Sequence, residues 1–193
     1  MQFVEADVLE AAAALAPAQY DLVYVSFGAL CWLPDVDAWA GQVAALLRSG
    51  GRLFLHDGHP LAWSLADDDL RIAHTYFEEP EPYVDDAGYT YTDGVELMQN
   101  ARNYSWNHSI GEIVTAVAHH GLQVVELSEH DWTAWPRFPW LVRAGDQRWG
   151  TPPDRIRVPL SFTLLAAKPA GARPNNRERD TIRRFGGNPV DVA

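Results

Sequence analysis

Tyr20 to Gly28 has the sequence YDLVYVSFG, in which apolar side chains occupy both faces of an extended chain. Such a run is typical of a strand that is buried on both sides in a parallel sheet. Helix-start residues follow at 34–37, and apolar residues at helical spacing continue to Gly50-Gly51. A second apolar run, RLFLHD at 52–57, completes a strand–helix–strand unit. The sequence therefore predicts an α/β fold with a parallel strand pair and a right-handed crossover.

The segments on either side of this unit extend the prediction. FVEADV at 3–8 predicts a short strand ahead of it. Residues 60–105 interrupt the alternation with prolines, clustered acids and aromatic residues, and we interpret them as an inserted lid. Ser109 and Glu112 have the spacing of a capping box, which predicts a helix over 109–120.

The last part of the chain divides into a strand pair and a tail. Strands predicted at 122–127 and 158–168 are expected to pair antiparallel. From residue 169 onward the sequence is rich in Pro, Gly, Asn and Arg without apolar periodicity, so 169–193 is predicted to be a disordered tail. Residues 1–168 then form one domain, which fits the length of a single folded unit.

The composition excludes several classes of partner. The 193 residues hold 15 Lys and Arg against 26 Asp and Glu, and the net charge of −11 has the wrong sign for binding nucleic acid or an anionic membrane surface. Cys31 is the single cysteine, so neither an intrachain disulfide nor a cysteine-based zinc site can form. The start of the sequence has no signal-peptide pattern, and no run of about 18 apolar residues occurs. We therefore expect a cytoplasmic protein without nucleic-acid or membrane partners.

His56-Asp57-Gly58-His59 places two imidazoles and a carboxylate close together, which raises the hypothesis of a metal site. The spacing matches no established metal motif, and neighbouring residues on an extended chain point to opposite faces. A polar pocket rim or hydrogen-bonded histidines are the favoured interpretation, and no metal is predicted. A metal-dependent hydrolase that uses His56, Asp57 and His59 is kept as an alternative.

Four stretches follow one another along the chain: FVEADV at 3–8, YDLVYVSFGALCWLPD at 20–35, LLRSGGRL at 46–53 and WNHSIGEIV at 106–114. The first three together resemble the class I S-adenosylmethionine-dependent methyltransferases of the small-molecule type, and the fourth resembles one bacterial branch of that family. The resemblance extends over about residues 2–168, and the order of the stretches is more specific than any one of them. It implies a Rossmann-like methyltransferase sheet, S-adenosylmethionine as cofactor and methyl transfer to a small-molecule acceptor.

The resemblance also implies cofactor-binding residues. The acid that closes the family's third strand lies near the adenine, which here implies Asp7 with Val8 beside it. The segment after the fourth strand lines the methionine side of the cofactor, which here implies Ser26, Phe27 and Gly28. Structural interpretations stay open, because Asp7 could cap the Ala-rich segment that follows, and Ser26 and Phe27 could be a strand-end turn and a core aromatic.

The candidate substrate and catalytic residues come from later in the chain. Asp57 lies in the segment that the resemblance places at the border of the substrate pocket. Trp63 and Trp106 belong to the aromatic residues between 60 and 150, which could line a pocket for an apolar or cationic molecule or form the underside of a lid. His108 or His59 could accept a proton from the acceptor near neutral pH, although His108 could instead be part of a helix cap.

The sequence departs from the family pattern near its start. The family's first strand ends in a G-x-G-x-G loop and its second in an acid that binds the ribose, and the chain contains no G-x-G-x-G. In the family strand order 3-2-1-4-5-7-6, the first two strands would be missing, which leaves a pairable strand edge in water. We therefore expect either that the chain is truncated and the active protein longer, or that the truncated chain persists by pairing its first strand with the Leu22 strand or by forming a homodimer through this edge. A non-catalytic remnant or a partner-stabilised binding module is the alternative function.

Overall fold

The computed structural model describes residues 2–86 and 102–171. Single turns of 3-10 helix lie at Val8–Glu10 and Leu30–Trp32. The helices are α1 (Ala11–Ala14), α2 (Val36–Leu46), α3 (Pro60–Trp63) and α4 (Ile110–His119). The strands are β1 (Tyr20–Val25), β2 (Leu47–Gly58), β3 (Tyr83–Asp85), β4 (Asn103–Ser105), β5 (Gln123–His130), β6 (Trp132–Thr133), β7 (Val142–Gly145), β8 (Arg148–Gly150) and β9 (Ser161–Ala167). In the described ranges, no helix has the length and apolar character needed to cross a bilayer.

The central sheet has four strands in the order β1-β2-β9-β5. β1 and β2 are parallel and connected through α2, whereas β9 is antiparallel to both β2 and β5. This is the 4-5-7-6 portion of the strand order that the resemblance implies. The predicted α/β Rossmann-like fold class and the antiparallel strand pair near the end of the domain are confirmed.

The prediction of a strand at residues 3–8 is wrong. Residues 2–7 pair with no strand, Phe3 is 87% exposed, and Val8 begins the first 3-10 turn. A strand needs a neighbour that satisfies its backbone N–H and C=O groups, and these residues have none in the described sheet. The sheet therefore shows no counterpart of the family's third strand, in addition to the two strands that were predicted to be missing.

The end of α2 lies earlier than the sequence indicates. The helix ends at Leu46, ahead of Gly50-Gly51, because Leu47 adopts an extended conformation and begins β2. Lys168 Nζ donates hydrogen bonds to the carbonyl oxygens of Ala44 and Leu47, both at 2.7 Å. These bonds satisfy carbonyl groups that the end of a helix otherwise leaves unpaired.

α2 and α4 cover one face of the sheet, here called the helix face. The predicted capping box of α4 is confirmed, since Ser109 Oγ accepts from the Glu112 N–H and Glu112 Oε2 accepts from the Ser109 N–H. The residues that fill this face share full or nearly full burial and come from both helices and both central strands: Trp39, Val43, Leu53, Leu55, Ile113, Val117, Phe162 and Leu164. Their burial supplies the main hydrophobic stabilisation of the fold.

The opposite face of the sheet, here called the open face, carries Leu22, Tyr24, Phe54, His56 and Leu165 by strand alternation. Tyr24 and Phe54 stack with their ring centroids 5.2 Å apart. Leu22 and Tyr24 are nevertheless 53% and 63% exposed. The expectation that β1 is buried on both sides is therefore wrong, because α2 and α4 both pack against the helix face.

Residues outside this sheet form two smaller units. β6, β8 and β7 make a three-stranded sheet, and its neighbourhood buries Leu65, Phe138 and Leu160 against α3. β3 and β4 pair antiparallel within the predicted lid, 60–105. Residues 87–101 of that lid lie outside the described residues, as do 172–193 of the predicted tail. The division into a domain, a lid and a tail stays a prediction.

Candidate functional site

The candidate site begins where β1 and β2 end, at the edge of the sheet formed by their carboxyl ends. The Asp57 carboxylate lies there and joins the two strand ends. Its Oδ1 accepts from the backbone N–H groups of Gly28 and Gly58, both at 2.6 Å, and its Oδ2 accepts from those of Ala29 and Leu30 at 3.1 and 3.0 Å. Three of these bonds fix the turn that follows β1, and the fourth is to Gly58, the next residue of β2.

The environment of Asp57 combines burial with strong backbone solvation. The residue is 3% exposed. Burial raises the pKa of its carboxyl group, and the four backbone N–H groups act in the opposite direction by stabilising the charged form. Because a carboxylate has about four acceptor positions, the backbone bonds use all of them. Asp57 thus organises the turn, and the substrate-contacting role predicted for it stays a prediction.

A small cavity of about 20 Å³ lies directly beside this turn. Four of the predicted site residues line it, namely Asp57, Trp63, Trp106 and His108. A Cβ atom placed on Gly58 would lie 2.9 Å from the Trp63 indole nitrogen, so the indole packs directly against the end of β2. The structure therefore brings residues from three separate segments of the sequence to one cavity.

His108 lines this cavity with both ring nitrogens engaged. Nε2 lies 2.8 Å from the Leu33 carbonyl oxygen, and Nδ1 lies 2.6 Å from Glu78 Oε2. Both ring nitrogens of His108 therefore have a protein oxygen as their partner. The His108 side chain is 1% exposed and that of Glu78 is 32% exposed, so this partly buried contact joins the segment before β3 to the start of α4. The cap of α4 itself is formed by Ser109.

His59 lies at the start of α3 and is also fully engaged. Its Nδ1 accepts from the Leu61 N–H at 3.0 Å, so Nε2 carries the proton and donates to Glu129 Oε1 at 2.8 Å. Burial lowers the pKa of His59, and Glu129 opposes that shift. Neither His59 nor His108 presents a free lone pair to a ligand in this arrangement. The general-base role of both residues stays a prediction.

The residues predicted for the methionine side of the cofactor follow β1 directly. Ser26 is exposed, and Phe27 is half-buried with its ring 4.5 Å from the Trp135 ring and 5.2 Å from the His56 ring, centroid to centroid. Gly28 has φ +78°, and a Cβ atom there would meet nothing within 4 Å. There is consequently open space above the strand end, where a ligand can approach the backbone.

The residues predicted for the adenine side lie in the first 3-10 turn. Asp7 is exposed and its Oδ1 accepts from the Leu9 N–H at 2.9 Å, while Val8 is 42% exposed. This geometry is that of the capping alternative. A cofactor role for Asp7 and Val8 stays a prediction.

The histidines of the 56–59 segment do not converge with Asp57 on one point. His56 Nδ1 lies 2.9 Å from Thr163 Oγ1 on the open face, whereas Asp57 and His59 have the separate partners described above. In residues 2–86 and 102–171, no group of three or more His, Cys, Asp or Glu side chains is arranged to hold a metal ion.

Sequence reasoning missed three residues of this neighbourhood. Cys31 lines the cavity, and burial, reinforced by Asp57, raises the pKa of its thiol to about 12, so it is an unreactive neutral group. Asn107 also lines the cavity, and its buried Oδ1 has no hydrogen-bond partner among the described residues. Arg137 has a buried Nε without a partner in the part of the chain that the structure describes, although its side chain as a whole is 32% exposed. The sequence contains no local pattern around these residues that signals a site.

No protein-family model matches the chain, and no curated protein sequence matches it. Its structure is similar to a solved S-adenosylmethionine-dependent methyltransferase from Clostridium acetobutylicum, with 12% identity, 86% of this chain and 63% of that chain covered, and a TM-score of 0.48. A second similar structure is an S-adenosylmethionine-dependent methyltransferase from Mesorhizobium loti, with 18% identity, 77% of this chain and 62% of that chain covered, and a TM-score of 0.44. A third, from Methanosarcina mazei, has 15% identity, 82% of this chain and 65% of that chain covered, and a TM-score of 0.45.

The chain spans less than two thirds of the length of each of these structures. At such identities the likeness concerns the fold alone. Any proposal about what the chain binds therefore has to be argued from its own residues.

Proposed function

We propose that this chain forms the acceptor-binding side of an enzyme that transfers a methyl group from S-adenosylmethionine to a small molecule. The observation that carries the proposal is the turn after β1, which Asp57 holds with three backbone bonds at the carboxyl ends of two parallel strands. Ligands of open α/β sheets bind beyond these strand ends. The cavity of about 20 Å³ beside the turn has room for about one water molecule, so an acceptor would bind in the open space above the strand ends and not inside this cavity.

The residues after β1 fit the methionine end of the cofactor. Gly28 leaves open space over the backbone, and Phe27 offers a half-buried ring beside it. When bound, S-adenosylmethionine supplies a methyl group that its sulfonium charge already activates. The adenosine end has weaker support, since Asp7 caps its own turn and the chain has no G-x-G-x-G loop.

The contribution of this chain to the reaction is mainly positional. Asp57 keeps the turn rigid, which fixes the distance between the strand end and the cavity. Trp63 and Trp106 line the small cavity beside the turn, and an acceptor held above the strand ends at near-attack distance gains most of the rate enhancement such a transfer needs. We place His108 and His59 as residues that hold the lid segment and α3 through Glu78 and Glu129.

Calorimetric titration of S-adenosylmethionine and S-adenosylhomocysteine into the folded chain tests the proposal. We expect micromolar binding that Phe27→Ala weakens roughly tenfold, the equivalent of about 1.4 kcal/mol. Phe54→Ala is the matched control, because Phe54 is another half-buried aromatic residue of the sheet but stacks on Tyr24 away from the strand ends. A folded chain that binds neither ligand would contradict the proposal for this polypeptide.

A non-catalytic binding module is the second candidate. The absence of a G-x-G-x-G loop favours it, and so does the edge position of β1 in the sheet. In this alternative the chain exists as a homodimer through β1, whose Leu22 and Tyr24 are more than half exposed. An edge strand with such side chains is a template for pairing with another chain. Absence of cofactor binding together with a stable dimer would favour this candidate.

A further inference from the structure

An open groove of about 850 Å³ lies between the start of α2, residues 77–80 and one side of α4. It shares no lining residue with the small cavity beside Asp57. Among the described residues that line it there is no Lys or Arg, whereas five carry a carboxylate: Asp35, Asp37, Glu78, Glu79 and Glu112. The groove is therefore strongly acidic and large enough to take a segment of polypeptide, so we call it the acidic groove.

The acidic groove has binding capacity that the described residues leave unused. Four of its carboxylates have partners within the protein, including Asp35, which caps α2, and Asp37, which lies 3.1 Å from His120 Nε2. The Glu79 carboxylate is exposed and has no hydrogen bond or ion pair with the described residues. Phe77 beside it is 66% exposed. An exposed ring next to a free carboxylate suits a partner that carries guanidinium groups.

The basic residues of this chain are concentrated after the last described residue. Residues 172–193 hold five of the 15 Lys and Arg residues but three of the 26 Asp and Glu residues, so this stretch is basic in an acidic chain. Four of these arginines lie in RERDTIRR at 177–184, which also contains Ile182 and is followed directly by Phe185. This stretch, 177–185, is here called the tail segment. Its charge and its apolar side chains complement the acidic groove.

The tail segment is attached within reach of the acidic groove. The Gly171 N–H donates to Ser49 Oγ at 3.1 Å, just beyond the end of α2, and the groove begins at the other end of that helix. α2 has 11 residues and is about 16 Å long. The residues from 172 to Thr181 can extend over about 30 Å, so the connection is long enough.

We propose that the tail segment of this same chain binds in the acidic groove, with its arginines at the carboxylates around Glu79 and its apolar side chains at Phe77. Tethering raises the effective concentration of the tail segment to about the millimolar range, so individually weak contacts are sufficient. Bound there, the tail segment holds residues 77–80 against α4. Because Glu78 contacts His108, it thereby secures one side of the candidate site. The inference goes beyond the proposed function and does not depend on cofactor binding.

Disulfide trapping in the full chain tests the inference. Thr115 lines the acidic groove on an exposed side of α4, and Thr181 lies in the middle of the tail segment. The double variant Thr115→Cys with Thr181→Cys should form an internal disulfide in dilute protein under a glutathione redox buffer. The native Cys31 does not compete, because burial raises the pKa of its thiol to about 12.

The matched control is Gln123→Cys with Thr181→Cys. Gln123 is exposed and pairs with Ala167, which is close in sequence to Gly171 where the tail is attached. Random motion of the tail would favour this pair, whereas binding in the acidic groove favours the other. We expect the pair that includes Thr115→Cys to react at least tenfold faster.

Charge variants in the Thr115→Cys with Thr181→Cys background test the recognition itself. Arg183→Glu with Arg184→Glu should lower the trapping rate severalfold, whereas Arg183→Lys with Arg184→Lys should largely retain it because the charge is kept. Salt at 1 M should also lower the rate, since the Debye length is then about 3 Å.

Limited proteolysis gives a second measurement without introduced cysteines. Trypsin cleaves after Arg184, and a bound tail segment protects that bond. Glu79→Gln should therefore raise the cleavage rate there severalfold. Asp154→Asn, which removes an exposed carboxylate outside the groove lining, should leave the rate unchanged.

Four outcomes overturn the inference: equal trapping rates for the two cysteine pairs, trapping that neither salt nor charge reversal slows, an unchanged cleavage rate in Glu79→Gln, and disulfide-linked dimers in place of internal disulfides. The last outcome would place the tail segment on a second copy of the chain.

Discussion

The two faces of the central sheet differ in what covers them. On the helix face, Leu53, Leu55 and Leu164 are completely buried under α2 and α4. On the open face, Leu22 and Tyr24 of β1 are more than half exposed, although the sequence of β1 is equally apolar on both sides. The apolar pattern of a strand thus indicates a preference for burial, whereas the elements packed against the strand determine whether it is buried.

Truncating a side chain of the helix face should give the largest effect. Leu55→Ala leaves a cavity under the two helices and should lower the free energy of unfolding by about 2 to 5 kcal/mol. Leu22→Ala on the open face should cost less than about 1 kcal/mol, since half of that side chain is already in water. Urea denaturation of both variants measures the difference, and equal losses would show that the open face is covered in solution.

Asp57 projects to the helix face while its neighbour His56 projects to the open face. Asp57→Asn places an amide NH₂ group against backbone N–H donors of the turn, so about two of them lose their acceptor. We expect a loss of about 2 to 4 kcal/mol in unfolding free energy. Asp21→Asn serves as the control, because the Asp21 side chain is 79% exposed in its ion pair with Arg48. Equal stability of the two variants would contradict the role assigned to Asp57, which is to hold the turn through its backbone hydrogen bonds.

Protonation of His59 should make the folding stability of the chain depend on pH, whereas protonation of an exposed histidine should not. Burial lowers its folded-state pKa below the ordinary 6.5, against the opposing effect of Glu129. The unfolded chain then binds the proton more readily, so this stabilisation is present above pH 6.5 and is lost as the pH falls toward the folded-state pKa.

His59→Asn removes the titrating ring but keeps a side chain suited to cap α3. Its stability between pH 7 and pH 5 should fall less than that of wild type, as followed by thermal unfolding in buffers of equal ionic strength. His119→Gln, at a histidine whose side chain is 54% exposed, should follow wild type. A wild-type slope retained in His59→Asn would contradict the assignment.

The smallest change in unfolding free energy is expected for a substitution on the open face. For that substitution, the oligomeric state is the informative measurement. Leu22→Lys should change unfolding free energy by less than about 0.5 kcal/mol. If copies of the chain pair through β1, the added charge should convert a dimer to a monomer in sedimentation velocity. A wild-type chain that is already monomeric at high concentration would rule out the homodimer.

Much of the fold was predictable because its signals are local. The two apolar runs, the helix between them and the Ser109–Glu112 capping box each specify their own segment. The prediction of a strand at residues 3–8 was wrong because a short apolar run forms a strand only beside a partner strand. The local sequence pattern does not show whether that partner is present. The three-stranded sheet of β6, β7 and β8 went unpredicted since its strands have two to four residues and show no alternation.

The candidate site was only partly predictable. Asp57, Trp63, Trp106 and His108 were named and do line one cavity. Their hydrogen-bond partners were not foreseeable, because Glu78 and the turn at Gly28 bond to His108 and Asp57 from distant parts of the chain. Arg137 was missed for the same reason, since its contact with the Trp63 ring joins two segments that are distant in the sequence.

The two hydrogen bonds of Lys168 at the end of α2 make this residue a chemical reporter. It is the single lysine of the sequence, so amine-reactive reagents have one side-chain target besides the chain terminus. Because its Nζ is tied to two carbonyl oxygens, acylation requires that the junction between α2 and β2 opens first. The labelling rate of the native chain therefore measures the opening of that junction without any engineered probe.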